Sequence, residues 1–254
     1  MIEIERDLME NPLVEAILEI RWHLDGNADP AHPLFAGALA SAARDLYPVQ
    51  QRLPGAEIPD DLSPHMVKFR LRAGENAWPL IQAGPGIATL NSVDDYTWQS
   101  FKVRALDLWD SLMRAYAPFN NETPPVVNNL ILKYINARNL DGLTPQRYLA
   151  DKLHTQVLLP AGVVEHETDG EPTSVAIAVA LPLKRANTTG TVRIQNGAKQ
   201  DAPAALWELT ADGKFPTPVD RAGFEDWLEY SHGVLEAWFF SLIQGDLLTA
   251  FRGV

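Results

Sequence analysis

The order of apolar and polar positions along the chain predicts a pattern of elements that occurs twice: a strand, a helix, three strands and a long helix. The first copy begins at Asn11 and ends with a helix near Tyr116, and the second begins near Val126 and closes with the last helix. Alternating apolar residues indicate strands with one buried face, and apolar residues three and four apart indicate amphipathic helices. The expected fold class is therefore α+β, with two antiparallel-sheet halves and the helices packed on one sheet face.

The repeat leaves the domain organisation open between two arrangements. The first has an α+β half at residues 1–122 and a second at residues 123–254, either as separate units or as one continuous pseudo-twofold domain. The second arrangement is a single α+β domain in which the repeat is coincidental. A true duplication predicts that the two halves share one strand order.

Three local patterns lead to specific expectations. The segment Ser174–Leu183 is apolar at nearly every position, which is typical of a strand that is central or covered on both faces. Asn196-Gly197 and Asp212-Gly213 are residue pairs that favour turns. The segment from Pro48 to Pro64 is rich in Pro and Gly and predicts a loop.

Charged residues in the first half predict one strand pairing. A strand at 13–22 has Glu15 and Glu19 on its polar face, and a strand at 66–73 has three basic residues on its polar face, namely Lys68, Arg70 and Arg72. Opposite charges that face each other across neighbouring strands stabilise a sheet. We therefore expect these two strands to lie side by side, with at least one ion pair between them.

Charge and composition narrow the classes of partner. The net charge is −12, from 33 acidic and 21 basic residues, so nucleic acid is disfavoured as a partner because phosphate binding normally requires a basic surface. The chain has no cysteine, which excludes disulfides, thiolate metal sites and cysteine nucleophiles. The acidic first ten residues do not form a signal peptide, and no apolar run is long enough to span a membrane. The expected location is cytoplasmic, without a membrane.

Three short segments together resemble a family of bacterial proteins of similar length that are sporadically distributed and functionally uncharacterised. The first segment is an Asn-Pro-x-x-Glu motif at the start of a strand, Asn11-Pro12-Leu13-Val14-Glu15. The second is the middle of a strand, Leu132-Lys133-Tyr134-Ile135-Asn136. The third ends the last, aromatic helix, Phe251-Arg252-Gly253. The resemblance covers nearly the whole chain but implies no activity, cofactor or catalytic residue. The patchy distribution implies mobile accessory genes, such as those near defence or toxin–antitoxin loci.

Standard catalytic motifs are absent, so the sequence predicts no catalytic residue, metal or cofactor. Glu165-His166-Glu167 is the nearest approach to a metal cluster, but it would need a distant ligand such as His154, and a solvated acidic linker is the favoured interpretation. His232 lies three and four residues from Glu229 and Glu236 in the last predicted helix. A surface histidine with acidic neighbours is favoured there over a catalytic base.

Tyr134, Asn136 and Arg138 share one face of a predicted strand at its otherwise apolar end. Such a cluster has two interpretations. The side chains line a ligand pocket, or they close the edge of the core through hydrogen bonds.

Three consecutive aromatic residues, Trp238, Phe239 and Phe240, span about 200° of the last helix, which is wider than one buried stripe. The helix is then either enclosed on two sides or contacts a partner through one ring. Together with the acidic surface, this favours a non-enzymatic protein-interaction or regulatory module that binds a protein partner or a second copy of itself. The alternative is a small-molecule sensor or enzyme with a site of dispersed polar residues. A nucleic-acid-binding saddle formed by two sheet halves is the third class.

Overall fold

A computed structural model of the protein describes residues 8–24, 26, 29–93, 95–160 and 171–253. The segment Glu165-His166-Glu167 lies outside the described residues. Within them, nine strands form one continuous sheet in which every neighbouring pair is antiparallel. The strands are β1 (Leu13–Trp22), β2 (Val49–Arg52), β3 (Phe69–Arg72), β4 (Leu80–Gly84), β5 (Ile87–Ser92), β6 (Val127–Asn139), β7 (Ala176–Pro182), β8 (Thr188–Lys199) and β9 (Ala202–Lys214).

Five α-helices accompany the sheet in the described part of the chain, and their starts follow capping rules. Thr97, Thr144 and Asp220 each accept a hydrogen bond from a backbone N–H three residues later, which satisfies a donor that has no partner inside the helix. Gly245 has a φ of 75° and separates the last two helices. The helices are α1 (His32–Ala42), α2 (Trp98–Tyr116), α3 (Pro145–Lys152), α4 (Arg221–Leu242) and α5 (Asp246–Arg252).

The strand order is β2-β3-β4-β5-β1-β6-β9-β8-β7, so the first strand of each predicted half lies at the centre. There β1 pairs with β6, and Leu18 stands opposite Leu132. Outward from the centre, both sides continue with the last strand of that half and then with the strands that precede it. The first half has four strands after its short helix, β2–β5, where three were predicted, and the second half has three, β7–β9. The repeat and the two-domain division stay predictions.

The core lies between the sheet and the helices. Alternate residues of β1 at positions 16, 18, 20 and 22 are fully buried, and they share a cluster with buried residues of α1, α2 and α4. A second cluster joins Leu149 of α3 to Trp207 of β9, Phe240 of α4 and Phe251 of α5. The helices therefore cover one face of the sheet, and the predicted α+β class with an antiparallel sheet is confirmed.

The expectation that the apolar strand at 174–183 is central or covered on both sides was wrong. This strand, β7, forms an edge of the sheet, and Val179 and Leu181 are 49% and 43% exposed. Its apolar composition indicates only that the segment forms a strand. The composition carries no information on which strands pair with it, so the sheet position was not determined by the pattern.

The predicted turns at Asn196-Gly197 and Asp212-Gly213 were also wrong, because both pairs lie inside long strands. The glycines serve packing instead. A Cβ atom at residue 213 would lie 2.4 Å from Nε1 of Trp227, so only glycine fits beneath this ring. The turn between β8 and β9 is formed by Gln200 and Asp201, which both have positive φ values.

The predicted pairing of the acidic and basic strands was wrong, since β5 and β4 lie between β1 and β3. Glu15 accepts a hydrogen bond from Asn91 on β5 instead. Lys68 is buried, and its ammonium group donates to Asp60 at 2.6 Å. The predicted loop at 48–64 contains β2 and two short 3₁₀ helices.

None of the described helices is by itself long and apolar enough to cross a membrane. Helices α4 and α5 meet that requirement only when they are taken together, across a bend of 110°.

Candidate functional site

A cavity of about 410 Å³ lies between the centre of the sheet and helices α2 and α4. Its floor comes from β1 and β6, one wall from the start of α2, and its roof from the second half of α4. A cavity of this size holds a small organic molecule. The lining residues are Leu8, Asn11, Leu13, Tyr96, Thr97, Trp98, Gln99, Tyr134, Asn136, Glu229, His232, Gly233, Leu235, Glu236, Phe239 and Phe240.

A chain of hydrogen bonds crosses the cavity wall. The hydroxyl of Tyr96 donates to the hydroxyl of Tyr134 at 2.9 Å, and the Tyr134 hydroxyl lies 3.0 Å from Nδ1 of His232. The Tyr134 hydroxyl keeps its own proton, which it donates to Nδ1 when that nitrogen carries none. Nε2 faces Oε1 of Glu236 at 3.8 Å. The chain thus joins the segment before α2, strand β6 and helix α4, and its last member lies near a carboxylate of the same helix.

The imidazole of His232 is held by an aromatic neighbour. Its ring stacks on the ring of Trp98, with centroids 3.8 Å apart and an angle of 10° between the planes. The side chain of His232 is only 14% exposed. Trp98 is the first residue of α2, so the capping of that helix by Thr97 also fixes the position of the stacked ring. The histidine therefore has a defined orientation in the cavity.

Burial and negative charge keep both tyrosines protonated. Burial raises the pKa of Tyr96, and the negative charge of Glu236 adds to this increase. Burial likewise raises the pKa of Tyr134, with further contributions from Tyr96, Glu236 and Glu229. At neutral pH both hydroxyls therefore act as hydrogen-bonding groups.

Asn136 forms part of the floor and is 2% exposed. Its Nδ2 donates to the carbonyl of Trp207 at 3.4 Å, which is a long hydrogen bond. Buried amides normally make stronger contacts than this. Asn136 thus places a polar side chain at the floor of the cavity.

The three residues of the predicted pocket separate in the structure. Tyr134 and Asn136 line the cavity, and Arg138 lies outside it. The guanidinium of Arg138 pairs with Glu10 and lies 5.6 Å from the centre of the Phe251 ring. Residues 136 and 137 are both buried, so the alternation of faces along β6 is interrupted just before Arg138.

The three predicted partner-contact aromatics each have neighbours inside the chain. Phe240 is 7% exposed and belongs to the second core cluster. Trp238 is partly buried and packs over Gly190, while Phe239 lines the cavity and meets Phe240 edge to face at 5.2 Å. Contact of these residues with a partner stays a prediction.

Sequence reasoning missed Tyr96 and Trp98 and placed His232 on the surface. Tyr96 stands in a short polar connection whose sequence carries no signal of a site. A signal did exist for His232, because it follows Ser231 on the buried stripe of α4, between Leu228 and Leu235. A histidine beside such a stripe is partly buried.

No metal centre is formed by the described residues, since no group of three or more His, Asp or Glu side chains is placed to hold an ion there. His154, considered as a distant ligand, donates a hydrogen bond from Nε2 to the carbonyl of Gln244 at 2.8 Å.

Comparisons with known proteins give little further information. No protein-family model matches the chain, and no curated protein matches it. One solved structure shows a distant similarity: DynU16, a protein of the dynemicin biosynthetic locus, with 12% sequence identity and a TM-score of 0.28, over 96% of this chain and 99% of that one. A TM-score this low carries no argument about fold or function.

Proposed function

We propose that the protein binds a small organic molecule in the central cavity, as a sensor or as an enzyme. The observation that carries the proposal is the hydrogen-bonded chain from Tyr96 through Tyr134 to His232 along the wall of a cavity of about 410 Å³. Ligand sites combine apolar walls with a few fixed polar groups, and the cavity has this composition.

The competing explanation is that these polar groups only close the core by bonding to one another. The position of Asn136 argues against it, because its side chain belongs to the lining of the cavity and does not lie only within the core. The stacking of His232 on Trp98 also holds a polar ring at the cavity surface. Both features favour an orienting role toward a ligand.

Native mass spectrometry of the gently purified protein tests the proposal. We expect a bound small molecule that is released on denaturation. Gly233→Leu fills the cavity from its roof, where a Cβ atom would meet no atom within 4 Å, and it is expected to abolish the adduct. Gly37→Leu is the matched control, because residue 37 is also helical and equally unobstructed. The proposal fails if neither the purified protein nor protein incubated with a metabolite extract carries an adduct, or if Gly233→Leu retains it.

A protein-interaction module that binds a protein partner or a second copy is the second candidate. It is favoured by β7, which is an edge strand of the sheet within the described residues and whose Val179 and Leu181 are exposed. Such edges pair with other chains unless they are protected. We expect Val179→Lys to abolish self-association or partner capture, measured by light scattering and affinity capture, and unchanged association would reject this candidate. A cytoplasmic location and a link to defence loci stay predictions.

We also propose that the two halves arose by duplication. The matching order of strands outward from the central β1–β6 pair supports this proposal. Superposition of residues 13–116 on residues 126–242 tests it, and unlike paths of the two chains would reject it.

A further inference from the structure

We propose that Arg70 and Arg72 of β3 form a binding site for a small oxyanion, a phosphate group that is either free or carried on a small organic molecule. The site lies on the face of the sheet opposite the helices, whereas the central cavity lies on the helix side. The inference therefore goes beyond the proposed function, and its test does not depend on a ligand in the cavity.

The alternation of residues along β3 places both arginines on the same face of the sheet. Leu71, which stands between them, is fully buried in the core between the sheet and the helices, so residues 70 and 72 point the other way. Both arginines are partly buried. Residues two apart along a strand are separated by about 6.6 Å, which is close enough for two guanidinium groups to contact one anion.

The two guanidinium groups carry hydrogen-bond donors that have no partner. The Nε atoms of both arginines are buried and are not hydrogen-bonded within the described part of the chain. Nη1 of Arg72 donates to the carbonyl of Ala77 at 3.2 Å, and this guanidinium lies 5.3 Å from the centre of the Trp78 ring. The described residues supply no corresponding hydrogen bond to Arg70. Its guanidinium is therefore not fixed by the protein and can turn toward an anion, which would give partners to donors that are costly to leave unpaired.

Like charges meet at this site. Burial lowers the pKa of Arg70, and the positive charge of Arg72 lowers it further, while the charge of Glu15 acts in the opposite direction. Glu15 accepts its hydrogen bond from an asparagine of β5 and forms no ion pair with Arg70 among the described contacts. Glu19, which shares this face of β1, pairs with Arg21. The two neighbouring guanidinium groups thus repel each other, and an anion bound between them relieves this repulsion.

Two amide side chains flank Arg70. In the antiparallel register, Arg70 stands opposite Gln51 of β2 and opposite Gln82 of β4. Directly opposite residues share one face of a sheet, with Cβ atoms about 4.5–5.5 Å apart. An amide NH₂ donates to an anion, and a planar guanidinium binds two oxygens of an oxyanion at once. The site thus brings donors from three neighbouring strands together, which suits a tetrahedral oxyanion with several acceptor oxygens.

The net charge of −12 favours a small anion over a large one. A nucleic acid or an anionic membrane carries many phosphates over a wide area and would be repelled by the acidic remainder of the surface. A single phosphate group interacts mainly with charges within about 8 Å at physiological ionic strength, and these include both arginines. The site is therefore expected to take an isolated phosphate group.

Isothermal titration calorimetry with inorganic phosphate and with phenyl phosphate tests this inference, with chloride holding the ionic strength constant. We expect each probe to bind saturably at one site and to compete with the other. Competition shows that the phosphate group is recognised whether it is free or carried on an organic molecule. A single-stranded oligothymidylate is expected to bind no more tightly than inorganic phosphate.

Three variants identify the groups that bind. Arg70→Gln is expected to weaken phosphate binding at least about tenfold, because it removes charge-assisted hydrogen bonds. Arg70→Lys keeps the charge but loses the planar pair of donors, and it is expected to weaken binding at least roughly threefold. Arg114→Gln is the matched control, because it removes the same charge from an exposed position of α2 on the helix side. It is expected to leave phosphate binding unchanged.

The inference is wrong if the unmodified protein binds neither probe saturably, or if oligothymidylate binds more tightly than phosphate. It is also wrong if folded Arg70→Gln binds phosphate as the unmodified protein does, or if Arg114→Gln weakens binding as much as Arg70→Gln. Circular dichroism establishes that each variant is folded. Should Arg70→Gln fail to fold, Arg70→Lys decides, and unchanged phosphate affinity in that variant rejects the site.

Discussion

The carboxyl group of Asp29 is 2% exposed and is expected to be a major source of stability in the first half of the sheet. It receives four hydrogen bonds. Oδ2 accepts from Nε1 of Trp22 at 3.0 Å and from the backbone N–H of Gly86 at 3.2 Å. Oδ1 accepts from the hydroxyl of Tyr116 at 2.9 Å and from the backbone N–H of Ala31 at 3.2 Å. Asp29 thereby connects β1, the β4–β5 hairpin, α1 and α2.

Asp29→Asn keeps the shape of the side chain and removes half of its acceptor capacity. The amide NH₂ group faces two of the four donors and leaves them without a partner. Each buried donor that loses its partner costs about 1–3 kcal/mol. The variant also removes a buried charge, which offsets part of this loss. We expect a net decrease in the free energy of unfolding of about 2–4 kcal/mol.

Urea unfolding followed by far-ultraviolet circular dichroism and tryptophan fluorescence gives the measurement. Tyr116→Phe is the matched control, because it removes one of the four donors and retains the ring contacts with Trp22 and Phe35. It is expected to cost less than Asp29→Asn. An Asp29→Asn variant as stable as the parent would refute the reasoning, since the cost of burying the charge would then equal the value of its hydrogen bonds.

Four further outcomes are expected. Gly190→Ala should destabilise the protein, because the new Cβ would lie 2.2 Å from the Trp238 ring. Gly37→Ala should stabilise α1 by about 0.5–1 kcal/mol, because a Cβ at residue 37 meets no other atom within 4 Å. Thermal unfolding of the two variants tests both expectations. Phe240→Glu should unfold the protein, since it places a charge in the second core cluster, and a folded variant by circular dichroism would contradict this. Tyr96 and Tyr134 should keep their protons above the ordinary tyrosine pKa of about 10, so that the stability of the fold falls as the pH rises beyond that value. In ultraviolet difference absorbance, Tyr96→Phe and Tyr134→Phe should each show fewer tyrosines that lose their proton only at high pH. Burial alone would raise the pKa of Asp60, but hydrogen bonds from Lys68 and His32 outweigh burial and lower this pKa. Ionised Asp60 therefore stabilises the fold above the ordinary carboxyl pKa, and this stabilisation is lost as the pH falls through the lowered pKa. Asp60→Asn should make the free energy of unfolding depend less on pH in the acid range.

Individual strands and helices were predictable because the burial of one face makes apolar residues recur at regular intervals along the sequence. Leu18 and Ile20 alternate with Glu19 and Arg21, and this pattern predicts β1 with its buried face. Sheet order was less predictable, since an apolar strand such as β7 pairs equally well at an edge or at the centre. The glycines of β8 and β9 were misassigned because the close approach of Trp227 or Leu206 is a tertiary contact that no local pattern contains.

The candidate site was predictable only in part, for the same reason. Tyr134 and Asn136 were identified because they interrupt an apolar face of one strand. Their partners are distant in sequence: Tyr96 is 38 residues before Tyr134, and His232 is 98 residues after it. The chain of hydrogen bonds exists only after α2 and α4 have packed on the sheet. No property of a short segment could indicate it.

The central position of β1 also affects how the chain folds during synthesis. Its neighbour β5 begins at Ile87, roughly 65 residues after Trp22, and a ribosome that adds about 5–20 residues per second needs several seconds to make it. The other neighbour, β6, begins only at Val127. Until then, one edge of β1 and its apolar face are available to wrong partners. A strand at the centre of the finished sheet therefore passes the first part of synthesis without either of its two neighbours.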